Sequence, residues 1–277
     1  MYKICLITLL IIAPKAWSQS AAQLQAQLGQ AGGAKKPKLW GATFTTTTVA
    51  SAKELSAYNS QLNQSFSAIY RYKLPYFNTR FIFGGNKDLT LARQDRFTTG
   101  IIEASKTLKS ISNKNVISIF QGRFLAPVND DRRRNETYRG GLSARLLNIF
   151  IPPIPKVKFI NIASFTKNLH EFEINRLGAQ NTNFSFVDTF IAAYAVNPVF
   201  ELSGYLSMIW SWDYQGERRE NQYVFGQSAT YNIDSHFGVT FGHELGGATY
   251  GVNGSALDLG VFNSDNSSFY ASLTINY

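Results

Sequence analysis

The chain has one cysteine in 277 residues, and that one, Cys5, lies in the first ten positions. No disulfide is therefore available within a single copy, and a cysteine-based zinc site is excluded. Methionine is also scarce, at two residues, and histidine is limited to His170, His236 and His243. Charged residues make up only 16% of the chain. No stretch after the N-terminus approaches the roughly 20 consecutive apolar residues that a membrane-crossing helix needs. Such a chain is held together by its own packing or by its surroundings.

What is present is aromatic and β-branched. There are 21 Phe and 14 Tyr, interrupted often by Gly, Asn, Ser and Thr. That mixture favours strands over helices. The first eighteen residues differ from the rest: Lys3 precedes an apolar run from Ile4 to Ala13, and Ala16 and Ser18 are small residues spaced for cleavage before Gln19. This is the pattern of an export signal peptide, residues 1–18. Residues 19–38 pair Leu24 and Leu28 in one or two helical turns. A Gly32-Gly33 and Lys-Pro stretch then ends any helix. They are expected to be a flexible periplasmic extension, with a short plug as the alternative.

The last nine residues alternate strictly. Phe269, Ala271, Leu273, Ile275 and Tyr277 fall on one face, and Tyr270, Ser272, Thr274 and Asn276 on the other. Period two with one apolar face predicts a strand between an apolar and a wetter environment. A strand that ends on a terminal aromatic residue resembles the C-terminal β-signal of bacterial outer-membrane barrels. The resemblance rests on these nine residues and on general architecture. It implies an outer-membrane location, contact with membrane lipid and lipopolysaccharide, and recognition of residues 269–277 by barrel-assembly machinery. Closure is also the one way for strands to satisfy their backbone groups in lipid. A soluble exported β-protein is the alternative.

Alternation predicts twelve strands, with ten to fourteen possible, in an all-β closed antiparallel barrel spanning 39–277. The expected segments are 39–50, 65–74, 76–84, 96–105, 114–125, 138–150, 155–167, 183–196, 200–213, 223–231, 237–242 and 269–277. Those between 114 and 196 alternate poorly. Short links at 74–75, 152–155, 197–198 and 233–235 alternate with longer polar loops, among them 126–137 and 168–182. This is the pattern of short periplasmic turns and long outer loops. Residues 106–113 are an exception, a longer link where a turn is expected.

Parity sends Arg71, Lys73, Arg80, Arg145, Glu201, Asp213 and Glu244 into the lumen. Trp210, Trp212, Tyr214 and Tyr277 are expected in aromatic girdles. The loop arginines Arg132, Arg133, Arg134, Arg139, Arg218 and Arg219 suit phosphate, as lipopolysaccharide contacts or as solubilising charge. No His-x-Ser pairing is present, and no metal spacing or phosphate loop is seen, so no catalytic residue, metal or cofactor is expected. Nucleic acid is a poor partner for an exported barrel despite a pI near 9.5. The expected function is a narrow passive channel for small polar or anionic solutes. A non-conducting structural or surface barrel is the alternative, with a lipid- or peptide-acting enzyme behind it.

Overall fold

The computed structural model describes residues 39–53, 61–90, 95–113, 115–249, 260–263 and 265–277. The expected signal peptide and the 19–38 extension lie outside the described residues.

Twelve antiparallel strands form one closed ring, each bonded to its neighbours in sequence, with the first joined to the last. They are β1 (Trp40–Ser51), β2 (Leu62–Lys73), β3 (Asn78–Asp88), β4 (Asp95–Thr107), β5 (Val116–Leu125), β6 (Tyr138–Phe150), β7 (Val157–His170), β8 (Thr182–Asn197), β9 (Phe200–Asp213), β10 (Gln222–Asn232), β11 (Phe237–Ala248) and β12 (Ser267–Asn276). Each of the twelve expected segments falls on one of these strands, with ends that differ by up to six residues, as where 237–242 extends to Ala248. Closure is direct: Tyr277 N donates to Ala42 O at 2.8 Å, and Ala42 N donates to Tyr277 O at 3.3 Å.

The polarity of the wall is the reverse of a soluble core. Small polar residues such as Thr43, Thr45, Ser65, Ser67, Ser272 and Thr274 are buried inside, while Phe241 and Phe81 stand outside at 62% and 49% exposure. Alternating Thr and Ser inward with Phe, Leu and Ile outward is what period two dictates for a barrel in an apolar medium.

Three links at the short-turn end are closed by side-chain caps, while the β2–β3 link is closed by the backbone bond from Leu74 N to Phe77 O. Asn197 Oδ1 accepts from the backbone N–H of Val199 and Phe200. Asp234 Oδ1 does the same for His236 and Phe237, at 2.6 and 2.8 Å. Those two N–H donors hold the Asp234 carboxyl below the usual carboxylate range. The link at 108–115 is longer, as expected, and Asn113 Oδ1 accepts from Asn115 N and Val116 N.

The loop at 126–137 contains a short helix, α1 (Asp130–Asn135), that alternation did not reveal. Asn129 caps it by accepting from Arg132 N, acidic residues fill its first turn and arginines its last. That arrangement complements the helix dipole at both ends.

Candidate lumen site

The strand register sets a row of charge across one inner wall. Arg71 on β2 is the Cα partner of Arg80 on β3, Arg80 of Glu103 on β4, and Glu103 of Arg123 on β5. Arg145 on β6 is paired with Gln121, two residues from Arg123 on the same inner face of β5. Four guanidiniums thus accompany one carboxylate. Glu103 is only 1% exposed. It accepts from Arg80 Nε at 2.7 Å and also from Arg80 Nη2, and Arg123 Nε stands 3.3 Å from its other oxygen. Arg71 Nη2 donates to Thr43 Oγ1 at 3.2 Å. Arg145 Nε is buried with no hydrogen-bond partner among the described residues.

The wall six strands around the ring has the opposite character. Tyr205 on β9 and Glu244 on β11 both face Gly226 on β10 in register. Tyr205 Oη donates to Glu244 Oε2 at 2.6 Å. The ring lies flat over Gly226, where any Cβ would overlap it. Tyr270 on β12 lies in the same way over Gly242 on β11. The two glycines let bulky phenols fold against the wall instead of projecting across the lumen.

The structure therefore gathers Arg71, Arg80 and Arg145 in one row and places Glu244 across from them. Two members of the row, Glu103 and Arg123, were not singled out from the sequence. The signal that finds them is cross-strand register, which one strand read alone does not contain. Lys73 is exposed at the short-turn end of β2, opposite Asn78. Glu201 lies near the same end on β9, opposite Thr230. Asp213 is buried at the loop end of β9, where its Oδ1 accepts from Gln215 N and Glu217 N at 2.9 Å each.

At the loop end, Arg132 stacks on Tyr138, with Cζ 4.0 Å from the ring centre, and bonds Glu136 at 3.0 Å. Burial works against the charged form of Glu136. His170, 3.9 Å away, and Arg132 more than offset it and hold the carboxyl below the usual range. Arg133 pairs with Asp130 at 2.9 Å and Arg139 with Glu171. Arg218 donates to Asn221 Oδ1, and Arg219 to Thr182 Oγ1 and Gln180 O. Arg133, Arg134, Arg139 and Arg176 line an outer cleft of about 550 Å³.

Of the expected girdle residues, Trp210 packs on Phe186 with ring centres 5.5 Å apart, and Trp212 is the partner of Phe184. Tyr277 stacks on Trp40 at 5.9 Å. Tyr214 instead donates to Asn168 O and stands 3.1 Å from His170 Nδ1. His236 Nδ1 lies 2.8 Å from Asn276 O, and His243 packs between Phe262 and Phe269. Among the described residues no cluster of three or more His, Cys, Asp or Glu is placed to hold a metal.

Solved structures share this architecture over most of the chain. An outer-membrane channel from Pseudomonas putida F1 superposes with a TM-score of 0.58 at 12% identity, covering 89% of this chain and 98% of its own. The NanC porin superposes at 0.55 with 8% identity, covering 84% of this chain and 98% of its own. The fold is that of bacterial outer-membrane channels. The KdgM porin adds a TM-score of 0.50 at 7% identity, over 85% of this chain and 99% of its own. At such identities the likeness to these channels is one of fold alone. No protein-family model matches the sequence, and no curated protein is similar to it in sequence.

Proposed function

We propose that this chain is an outer-membrane channel with a narrow lumen that passes small anionic or polar solutes. The observation that carries this reading is the placement of the arginine row on β2–β6 opposite the Tyr205–Glu244 wall. Separated charge across a lumen makes a transverse field, and the basic excess on one side lowers the barrier to anions. In this reading the short turns face the periplasm and the long loops face outward. The export signal is removed after Ser18, and residues 269–277 are read by the assembly machinery. The loop arginines Arg132, Arg133, Arg134, Arg218 and Arg219 meet phosphate groups of lipopolysaccharide, with Arg134 having no ion-pair partner among the described residues.

The test is planar-bilayer recording of refolded protein in a salt gradient. Discrete conductance steps with an anion-selective reversal potential are expected. Arg71→Glu with Arg145→Glu should move the reversal potential toward cations, and unchanged selectivity would remove the row from the permeation path.

A second reading, a non-conducting barrel, is favoured by one observation. Ile160, Ile162 and Ile191 point inward, yet are only 2%, 2% and 3% exposed. Part of the lumen is therefore packed. A folded, inserted barrel with no conductance would select this reading.

A further inference from the structure

On β5–β8 the wall carries polar groups on its outer face. Ser118 is the Cα partner of Asn148, and Asn148 of Asn161. Asp188 lies one diagonal step on, two residues from Phe190, the partner of Asn161. These four share the outer face with Phe120, Leu142, Phe159 and Phe190, which are 45%, 56%, 43% and 55% exposed. Ser118 Oγ donates to Asn148 Oδ1 at 2.8 Å, and Asn161 Nδ2 donates to Asp188 Oδ1 at 2.6 Å. Asp188 sits inside the sixteen-residue β8, flanked on its own face by Phe186 and Phe190. A carboxylate there faces acyl chains, which offer it no donor.

Elsewhere on the outer wall polar residues occur singly or in local pairs, such as Gln227 between Phe225 and Ala229 on β10. Thr46, Thr48 and Gln64 hydrogen-bond one another across β1 and β2. His243 stands alone, packed against Phe262 and Phe269 with ring centres 5.7 and 5.2 Å away, and its two ring nitrogens have no hydrogen-bond partner among the described residues. On β5–β8 the polar groups instead run side by side across four strands and include a carboxylate, and the second oxygen of Asp188 and the amide nitrogen of Asn148 have no hydrogen-bond partner among the described residues. The inner face of the same strands carries Leu147, Ile160, Ile162, Val187 and Ile191, all buried. Polarity is thus locally inverted, and a lipid environment alone does not satisfy it.

We infer that the β5–β8 wall is the contact surface between two copies of this chain, with the polar ladder of one meeting that of the other within the membrane. The ladder presents both donors and acceptors, so it complements itself, as an isologous two-fold contact requires. Leu142, Phe159, Phe165 and Phe190 supply the apolar surface around it. Interstrand carboxamides find better partners in a second protein wall than in hydrocarbon. The inference uses the channel reading only in placing the barrel in a membrane.

The experiment is native mass spectrometry of the refolded barrel released from detergent, with cross-linking in liposomes. Because Cys5 is the only cysteine, a chain from which the signal peptide has been removed carries single engineered thiols. Ala163→Cys, on the outer face beside Asp188, should be captured as a covalent dimer by a short bismaleimide. Ala271→Cys, on β12, should not. Asp188→Leu with Asn161→Leu should abolish the two-copy species and reduce Ala163→Cys cross-linking at least tenfold, while heat-modifiable gel mobility reports an intact barrel. A single-copy wild-type protein, equal cross-linking at both positions, or a two-copy species that survives the double substitution would overturn the proposal. A barrel that fails to insert into liposomes at all would instead strike the membrane reading.

Discussion

Tyr205 reaches Glu244 across an intervening strand, and the hydrogen bond of 2.6 Å passes over the bare backbone of Gly226. A side chain at 226 would collide with the phenol ring. Gly226→Ala should therefore force the ring into the lumen or strain the wall, at about 1–3 kcal/mol, the usual cost of overpacking. The check is the temperature at which the folded band is lost in heat-modifiable electrophoresis, which should fall. Single-channel conductance should change in the same variant.

Glu103 is the one acid in the arginine row. Replacing it with Gln removes the carboxylate that Arg80 and Arg123 both face, with Arg71 and Arg145 nearby. Loss of one partner from a buried pair costs about 3–5 kcal/mol, and water in the lumen brings the expected effect toward the lower end. Glu103→Gln should lower barrel stability in urea titration and raise anion selectivity in the same sample. Glu103→Gln with Arg123→Gln should recover part of the stability, because it restores the balance.

The turn at 233–236 carries a pH dependence with a definite sign. The Asp234 carboxyl is lowered by the N–H groups of His236 and Phe237. A depressed carboxyl stabilises the fold above the ordinary carboxylate pKa, near 3.9. That contribution is lost as pH falls through the lower folded value. Asp234→Ala should therefore be less stable than wild type at neutral pH. The two should converge in acid, as read from urea midpoints measured between about pH 7 and pH 2.

Tyr277 contributes both to closure and to an expected recognition signal. Its backbone pairs with Ala42 and its ring stacks on Trp40. Tyr277→Ala keeps the backbone bonds, so refolding in detergent should proceed nearly as in wild type. Assembly in cells should drop severalfold, measured as folded protein in outer-membrane fractions. An equal loss in both settings would reduce Tyr277 to a structural part.

The strands before 107 and after 200 were legible because they separate an apolar face from a polar one. Trp210 and Trp212 opposite Ser211 and Asp213 is the plainest case. The segments between 114 and 196 blurred for a physical reason now visible: Asn148, Asn161 and Asp188 face outward while Ile160, Ile162, Val187 and Ile191 face inward. Register shifts at Tyr138/Gly140 and Thr182/Phe184 add to this. The inward arginines on β2 and β3 followed from parity. Glu103 and Arg123 needed the pairing of β3 with β4 and of β4 with β5. Helix α1 was signalled by Asn129 followed by acidic and then basic residues, a local cue that strand counting does not weigh.

The side-chain hydrogen bond between Thr43 and Asn276 spans 233 positions of sequence. Every other neighbouring pair of strands is consecutive in the chain, so hairpins can form in turn along its length. The closing seam cannot: it requires that the last segment find the first. Until then both end strands expose unpaired backbone, the condition that invites pairing with the wrong chain. Integrity of the whole polypeptide is thereby written into one seam, and a chain cut short before β12 can insert strands but cannot seal a pore.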